Sequence, residues 1–161
     1  MQNDNSKTAI ESVLRVSTDI DLEMRRICLL IGILFRNRGN HPVEQPQIII
    51  NVSPTNVCEM NGRILSPQLI RVYGTYQKGG TQSGWKFVRE DWLSYGRKNG
   101  EYAIESIQPL ILQPDVWMEL KDVQIACDIN HLSAPLQVNA YILAHNQKYP
   151  VLNPTSISFT M

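Results

Sequence analysis

Charged residues are sparse in this sequence. They fill 19% of its 161 positions, and fifteen bases balance fifteen acids. A chain of zero formal net charge has no whole-molecule field to draw it to nucleic acid or to an acidic membrane. Cysteine is scarce too. Cys28, Cys58 and Cys127 are odd in number and widely spaced. That pattern excludes a disulfide framework and any Cys-x-x-Cys site, and it predicts buried, reduced thiols with no disulfide and no structural metal. No apolar run is long. Ile27 to Phe35 is the longest, far short of the length that spans a bilayer. The N-terminal MQNDNSKTA is polar and unlike a secretory leader. Together with reduced thiols it points to a cytoplasmic protein. Asn51-Val52-Ser53 has the form of a glycosylation acceptor, but Pro54 follows it and no leader accompanies it.

Catalytic signatures are absent as well. There is no Gly-x-Ser-x-Gly elbow, no phosphate loop ending in Gly-Lys-Ser/Thr and no His-Glu-x-x-His. Lys78-Gly79-Gly80-Thr81 superficially resembles a phosphate cradle. It lies between two strand-like runs and leads into no helix, so it offers a phosphate no helix N-terminus. Cys127, Asp128, His131 and His145 are the residues from which a metal site or a nucleophile–base pair could be assembled. Their spacing does not demand it, and a buried thiol near surface imidazoles is the favoured reading. Asp19 and Asp21 share one strand face, where alternating acids ordinarily serve solvation. No cofactor or metal is expected.

What is present is alternation. Leu14, Val16, Thr18, Ile20, Leu22 and Met24 interleave with Arg15, Ser17, Asp19, Asp21 and Glu23, a period of two that predicts a half-buried strand over residues 12–24. Residues 1–8 show no periodicity and are expected to be disordered. From Arg25 to Arg36 the apolar residues also keep helical spacing, and a buried helix is predicted there, weakened by Gly32. Arg36, Asn37, Arg38, Gly39 and Asn40 follow as its basic end and stop. Gln47 to Ser53 reads as a strand buried on both faces. Asn61-Gly62 predicts a tight hairpin between Val57–Met60 and Arg63–Leu65. Asp91 is placed to cap a single helical turn through Trp92 and Leu93, ending before Gly96. Further strands are predicted over Tyr102 to Leu112, with Pro109 marking a bulge, edge or break. Val116 to Asp128, the run after Pro135 and Ile157 to Met161 complete the set. Eight or so short strands divided by Pro and Gly turns predict one mainly β domain over 1–161. The expected form is an antiparallel β-sandwich or open barrel with one helix near the N-terminus, with α+β as the fallback.

The densest chemistry lies between Leu69 and Gly100. Six of the twelve aromatic residues and six of the fifteen bases fall there, against only Glu90 and Asp91. Residues 101–161 are acidic, with Lys121 and Lys148 against six acids. A hairpin is predicted, Gln68–Tyr76 returning through Trp85–Arg89. Arg71, Tyr73, Tyr76, Lys78, Lys86 and Arg89 are its candidate binding residues. A tyrosine between cations suits base stacking with phosphate neutralisation. It suits protein recognition equally, since Tyr, Trp and Arg are favoured interface anchors. The plainer alternative makes Trp85, Phe87 and Trp92 core, with Arg and Lys lying over them. The expectation is a non-enzymatic protein-binding or self-assembly module, of the kind found among adaptors and viral coat or matrix subunits. Its partner would be a protein or a second copy of the chain. A single-stranded nucleic-acid binder using the 69–98 hairpin is the second reading, and a small enzyme with its site near Asp128, His131 and His145 is the third.

Overall fold

The computed structural model describes residues 9–69 and 84–158. Four strands make one antiparallel sheet in the order β1 (Ile10–Asp21), β2 (Arg26–Asn37), β10 (Trp117–Asp128) and β5 (Cys58–Gly62). A larger sheet runs β12 (Gln147–Pro150), β11 (Leu136–Ala144), β4 (Gln47–Ser53), β8 (Glu101–Ser106), β7 (Trp85–Phe87) and β6 (Ile64–Leu65). In it β13 (Thr155–Ile157) also pairs with β11, and β6 and β7 are parallel. β3 (Val43–Glu44) and β9 (Ile111–Leu112) form a short ribbon. The chain is thus mainly β, and its sheets do not close into a barrel.

The helix predicted over residues 25–36 is strand β2 instead. Every residue from Arg26 to Asn37 faces a partner on β1, and most also face one on β10. Ile27, Leu29, Ile31, Ile33 and Phe35 all point into the core and are almost fully buried. That is strict alternation, and Ile-rich alternation favours a pleated surface. The outward set, Cys28, Leu30, Gly32 and Leu34, is uncharged as well, so helical spacing was present by accident. The longest helix among the described residues is α1 (Trp92–Asn99), in the middle of the chain. It continues through Gly96 and stops at Gly100, which takes the left-handed conformation at φ 71°. Gly96 lies within the helix, packed beneath the ring of Tyr102, where a Cβ would collide.

Other expectations are met or corrected in detail. The strand predicted over 12–24 forms as β1 but ends at Asp21, with residues 22–24 in the turn to β2, and only its first half is buried. β4 is buried on both faces, with Ile48, Ile49 and Ile50 all inaccessible. The predicted strand from Tyr102 to Leu112 divides into β8 and β9, on either side of Pro109. The Asn61-Gly62 hairpin does not form. Asn61 and Gly62 end β5, opposite Gln124 and Val123, and Ile64–Leu65 pairs with β7 of the other sheet. Gly62, at φ 127°, packs its Cα against the Asp122 carbonyl and lets the chain leave one sheet for the other. The thiol expectation is also corrected. Cys58 and Cys127 face each other across β5 and β10 with Cα atoms 4.6 Å apart, and they are disulfide-bonded. Close cross-strand placement, which spacing in sequence cannot reveal, brings them together. Cys28 stays free on the other face of β2.

One hydrophobic cluster unites the two larger sheets. Ile27, Ile31 and Phe35 of β2 belong to it, as do Ile48 and Ile50 of β4, Ile104 of β8 and Val138 of β11. Buried with them is Asn37. Its side-chain amide donates to the carbonyls of His41 (2.6 Å) and Leu112 (3.0 Å), and its Oδ1 accepts from Gly39 N–H (2.8 Å). This residue stops β2 by satisfying the backbone of the turn that follows it.

Candidate functional site

Of the six candidate binding residues, Arg71, Tyr73, Tyr76 and Lys78 lie outside the described residues, as does most of the predicted hairpin, residues 70–83. Lys86 and Arg89 are described. Lys86 sits on β7 directly opposite Glu105 of β8, and its Nζ lies 3.5 Å from that carboxylate. Arg89 grips Asp91 with two hydrogen bonds, 2.9 and 3.1 Å, and lays its guanidinium 3.7 Å from the centre of the Tyr95 ring. The Arg89 hydrogen bonds, helped by its charge, hold the Asp91 carboxyl below the usual carboxylate range. Asp91 therefore spends its side chain on Arg89 rather than on capping α1. Arg97 reaches Glu59 at 2.9 Å. The basic excess of this segment is thus compensated locally at three of its six positions, by acids that lie two residues away or across the fold.

The aromatics divide the same way. Phe87 stacks on Trp92 with rings parallel and centres 3.9 Å apart, and Trp85 meets Phe35 edge-on. These three pack in or against the core. Tyr95 instead donates to Glu101, which Tyr141 also reaches, and Lys148 covers the Tyr141 ring at 5.1 Å. Burial pushes the Tyr141 hydroxyl up, and the neighbouring Glu101 charge adds to the shift. The result is a polar–aromatic brace from α1 through β8 to β11 and β12, internally satisfied.

The acid and imidazole residues do not assemble. His131 lies in a single 3-10 turn, Ile129–His131, before β11, and His145 lies in the turn after it. The nine residues of β11 put about 27 Å of strand between those turns, at ~3.4 Å per residue. Asp128 accepts from the Asn130 N–H, and Cys127 is bonded to Cys58. Among the described residues no three His, Cys, Asp or Glu side chains are grouped to hold a metal. Asp128 and His131 do share a shallow groove of about 400 Å³ with Met24, Arg26, Val57, Glu59 and Ala126.

The feature that sequence reasoning missed is the far half of β1. It is an edge strand. Its first half is covered: Leu152 N–H donates to the Ser12 carbonyl, and the Asn153 side chain accepts from Leu14 N–H and donates to Leu14 C=O. From Thr18 onward every residue is exposed. Ile20 is 44% exposed, Leu22 79% and Met24 68%. The alternation is legible in the sequence, but Leu22 and Met24, its last apolar members, lie in the turn after β1. Here the apolar side of the strand runs past the end of the covering structure.

No helix among the described residues is long and apolar enough to cross a membrane. No protein-family model matches the chain, and no curated protein does. Among solved structures, the chain is similar to a FixG-related protein from Vibrio parahaemolyticus. The identity is 8% over 92% of this chain and 97% of that one, at a TM-score of 0.42. It is also similar to the ApaA protein from Bordetella pertussis, at 9% identity over 94% of this chain and 89% of that one, with a TM-score of 0.42.

Proposed function

We propose that this protein is a single-domain, non-enzymatic self-assembly module, with its two main sheets facing each other as a sandwich. The shared hydrophobic cluster supports the sandwich. The observation that carries the functional reading is the exposed end of an edge strand: Ile20 stands in water at the open edge of β1, and Leu22 and Met24 stand exposed in the turn that follows it. Proteins ordinarily blunt such edges, because they template pairing with another chain. The basic face around Lys86 and Arg89 supports a binding role less, since both cations are already paired within the chain.

The compartment bears on this role. A bonded Cys58–Cys127 pair supports an oxidising compartment, where such bonds persist, over the cytoplasmic one expected from the sequence.

The test is solution mass by sedimentation equilibrium across protein and salt concentration. The expected result is a mass that rises with concentration above the 18.4 kDa of one chain, and rises less at high salt as surface charge is screened. A strictly monomeric protein at all concentrations overturns the reading. Tight binding of single-stranded oligonucleotides with a steep salt slope would replace it with the nucleic-acid one.

A further inference from the structure

We infer that two copies of this chain pair antiparallel through the free half of β1, in a register centred on Thr18. The inference rests on the self-assembly reading and specifies its geometry. The bonds from Leu152 and Asn153 identify which backbone groups face the open edge: those of Ser12 and Leu14. Alternate residues of a strand face the same edge. Val16, Thr18 and Ile20 therefore present their N–H and C=O groups outward, and among the described residues nothing pairs with them. A second copy of the same strand supplies matching donors and acceptors.

Register follows from charge and from the blocked end. With Thr18 opposite Thr18 across a two-fold axis, Val16 faces Ile20 and Arg15 faces Asp21, each twice. Opposite charges directly across a strand pair are favourable, and so are apolar pairs on the same face. Arg15 is 69% exposed by side chain, and its partner within the chain, Glu119, is 3.9 Å away. Its guanidinium is free to engage a second carboxylate. Centring on Asp19 would press two Asp19 carboxylates together. Centring on Ser17 would put Ile20 against Leu14, whose edge groups Asn153 already holds. The Thr18 register pairs the open segment with itself, sets each Arg15 against Asp21 and brings only Leu22, a turn residue beyond the strand end, opposite Leu14. The contact is short, so the dimer is weak and concentration-dependent.

Charge reversal tests it. R15D and D21R are each expected to weaken dimerisation about tenfold, because each converts two attractive pairs to repulsive ones. R15D/D21R together is expected to return the dimer to near wild-type strength. Within one chain these residues lie six positions apart on one strand, about 20 Å at ~3.4 Å per residue, so rescue reports contact between copies. T18P is the second arm. The Thr18 N–H faces the open edge, where proline is tolerated in the monomer, and it blocks the central bonds. Cooperative thermal unfolding of each variant confirms folding. A dimeric wild type with no rescue in the double reversal, or with T18P still dimeric, overturns the register and leaves self-assembly standing. A monomeric wild type overturns both.

Discussion

Replacing Cys58 and Cys127 together with serine is expected to lower the free energy of unfolding by about 4 kcal/mol, the loop-closure value for a bond spanning 69 residues. The bond does more here than shorten an unfolded loop. β5 has one neighbour, β10, and pairs with it over five residues. It is also the last strand before the chain crosses to the other sheet at Gly62. Without the covalent tie, β5 is an edge strand held by a short ladder, and β6 beyond it depends on β5 for its position. Urea unfolding of oxidised and reduced protein checks this. The oxidised protein, once denatured, is expected to titrate one thiol, that of Cys28, and serine at Cys28 alone is expected to leave the midpoint unchanged. Equal midpoints for oxidised and reduced protein would defeat the expectation.

The second large effect is expected at Asn37. Asn37→Leu keeps the side chain branched at Cγ and removes three hydrogen bonds at a fully buried position. The carbonyls of His41 and Leu112 lose a donor, and Gly39 N–H loses its acceptor. A buried polar group without a partner costs about 1 to 3 kcal/mol. Three such groups, some of which regain water as the turn loosens, give an expected loss of about 3 to 5 kcal/mol. The damage is local in origin. Asn37 also accepts Asp115 N–H at its backbone carbonyl, so it joins the end of β2 to the approach to β10. Chemical denaturation measures the loss. Faster amide exchange at Gly39 and Asp115 than at Ile50 would show that it begins there.

How far the sequence carries the fold depends on which kind of information each element needs. β11 needed only its own residues: Leu136, Val138, Ala140 and Ile142 alternate with polar neighbours, and the structure buries all four. β4 needed only an unbroken apolar run. β2 was ambiguous because both of its faces are uncharged between Ile27 and Phe35. Gly32 held the clue in the wrong place. In a strand, glycine marks a close approach or a bulge, and β10 does bulge between Leu120 and Val123 as it passes β2. Read so, Gly32 argues for a strand. Asn61-Gly62 was a turn signal by local chemistry alone. Its positive φ was used to change sheets, which depends on where β10 and β7 lie.

The site was less legible, for the same reason. Lys86 and Arg97 look unopposed in a basic stretch because their acids, Glu105 and Glu59, are distant in sequence and meet them only through register and packing. Cys58 and Cys127 are cross-strand neighbours for which no local pattern exists. The open edge of β1 could not be seen at all. Alternation in sequence says which side of a strand is apolar, and says nothing of how far the opposite layer extends.

β4 has a consequence for how the protein comes apart. It is flanked by β11 on one side and β8 on the other, and its three consecutive isoleucines are shut from water on both faces. Its amides can meet a solvent deuteron only when the larger sheet separates, so there is no small breathing motion that exposes them. The free half of β1 stands at the other extreme, open to solvent while everything else stays folded. Isotope labelling would therefore see two clocks in one chain. The slow one, at Ile48 to Ile50, keeps the time of global opening. The fast one, at the amides of Val16, Thr18 and Ile20, runs freely in the lone molecule and slows when a second copy closes over it.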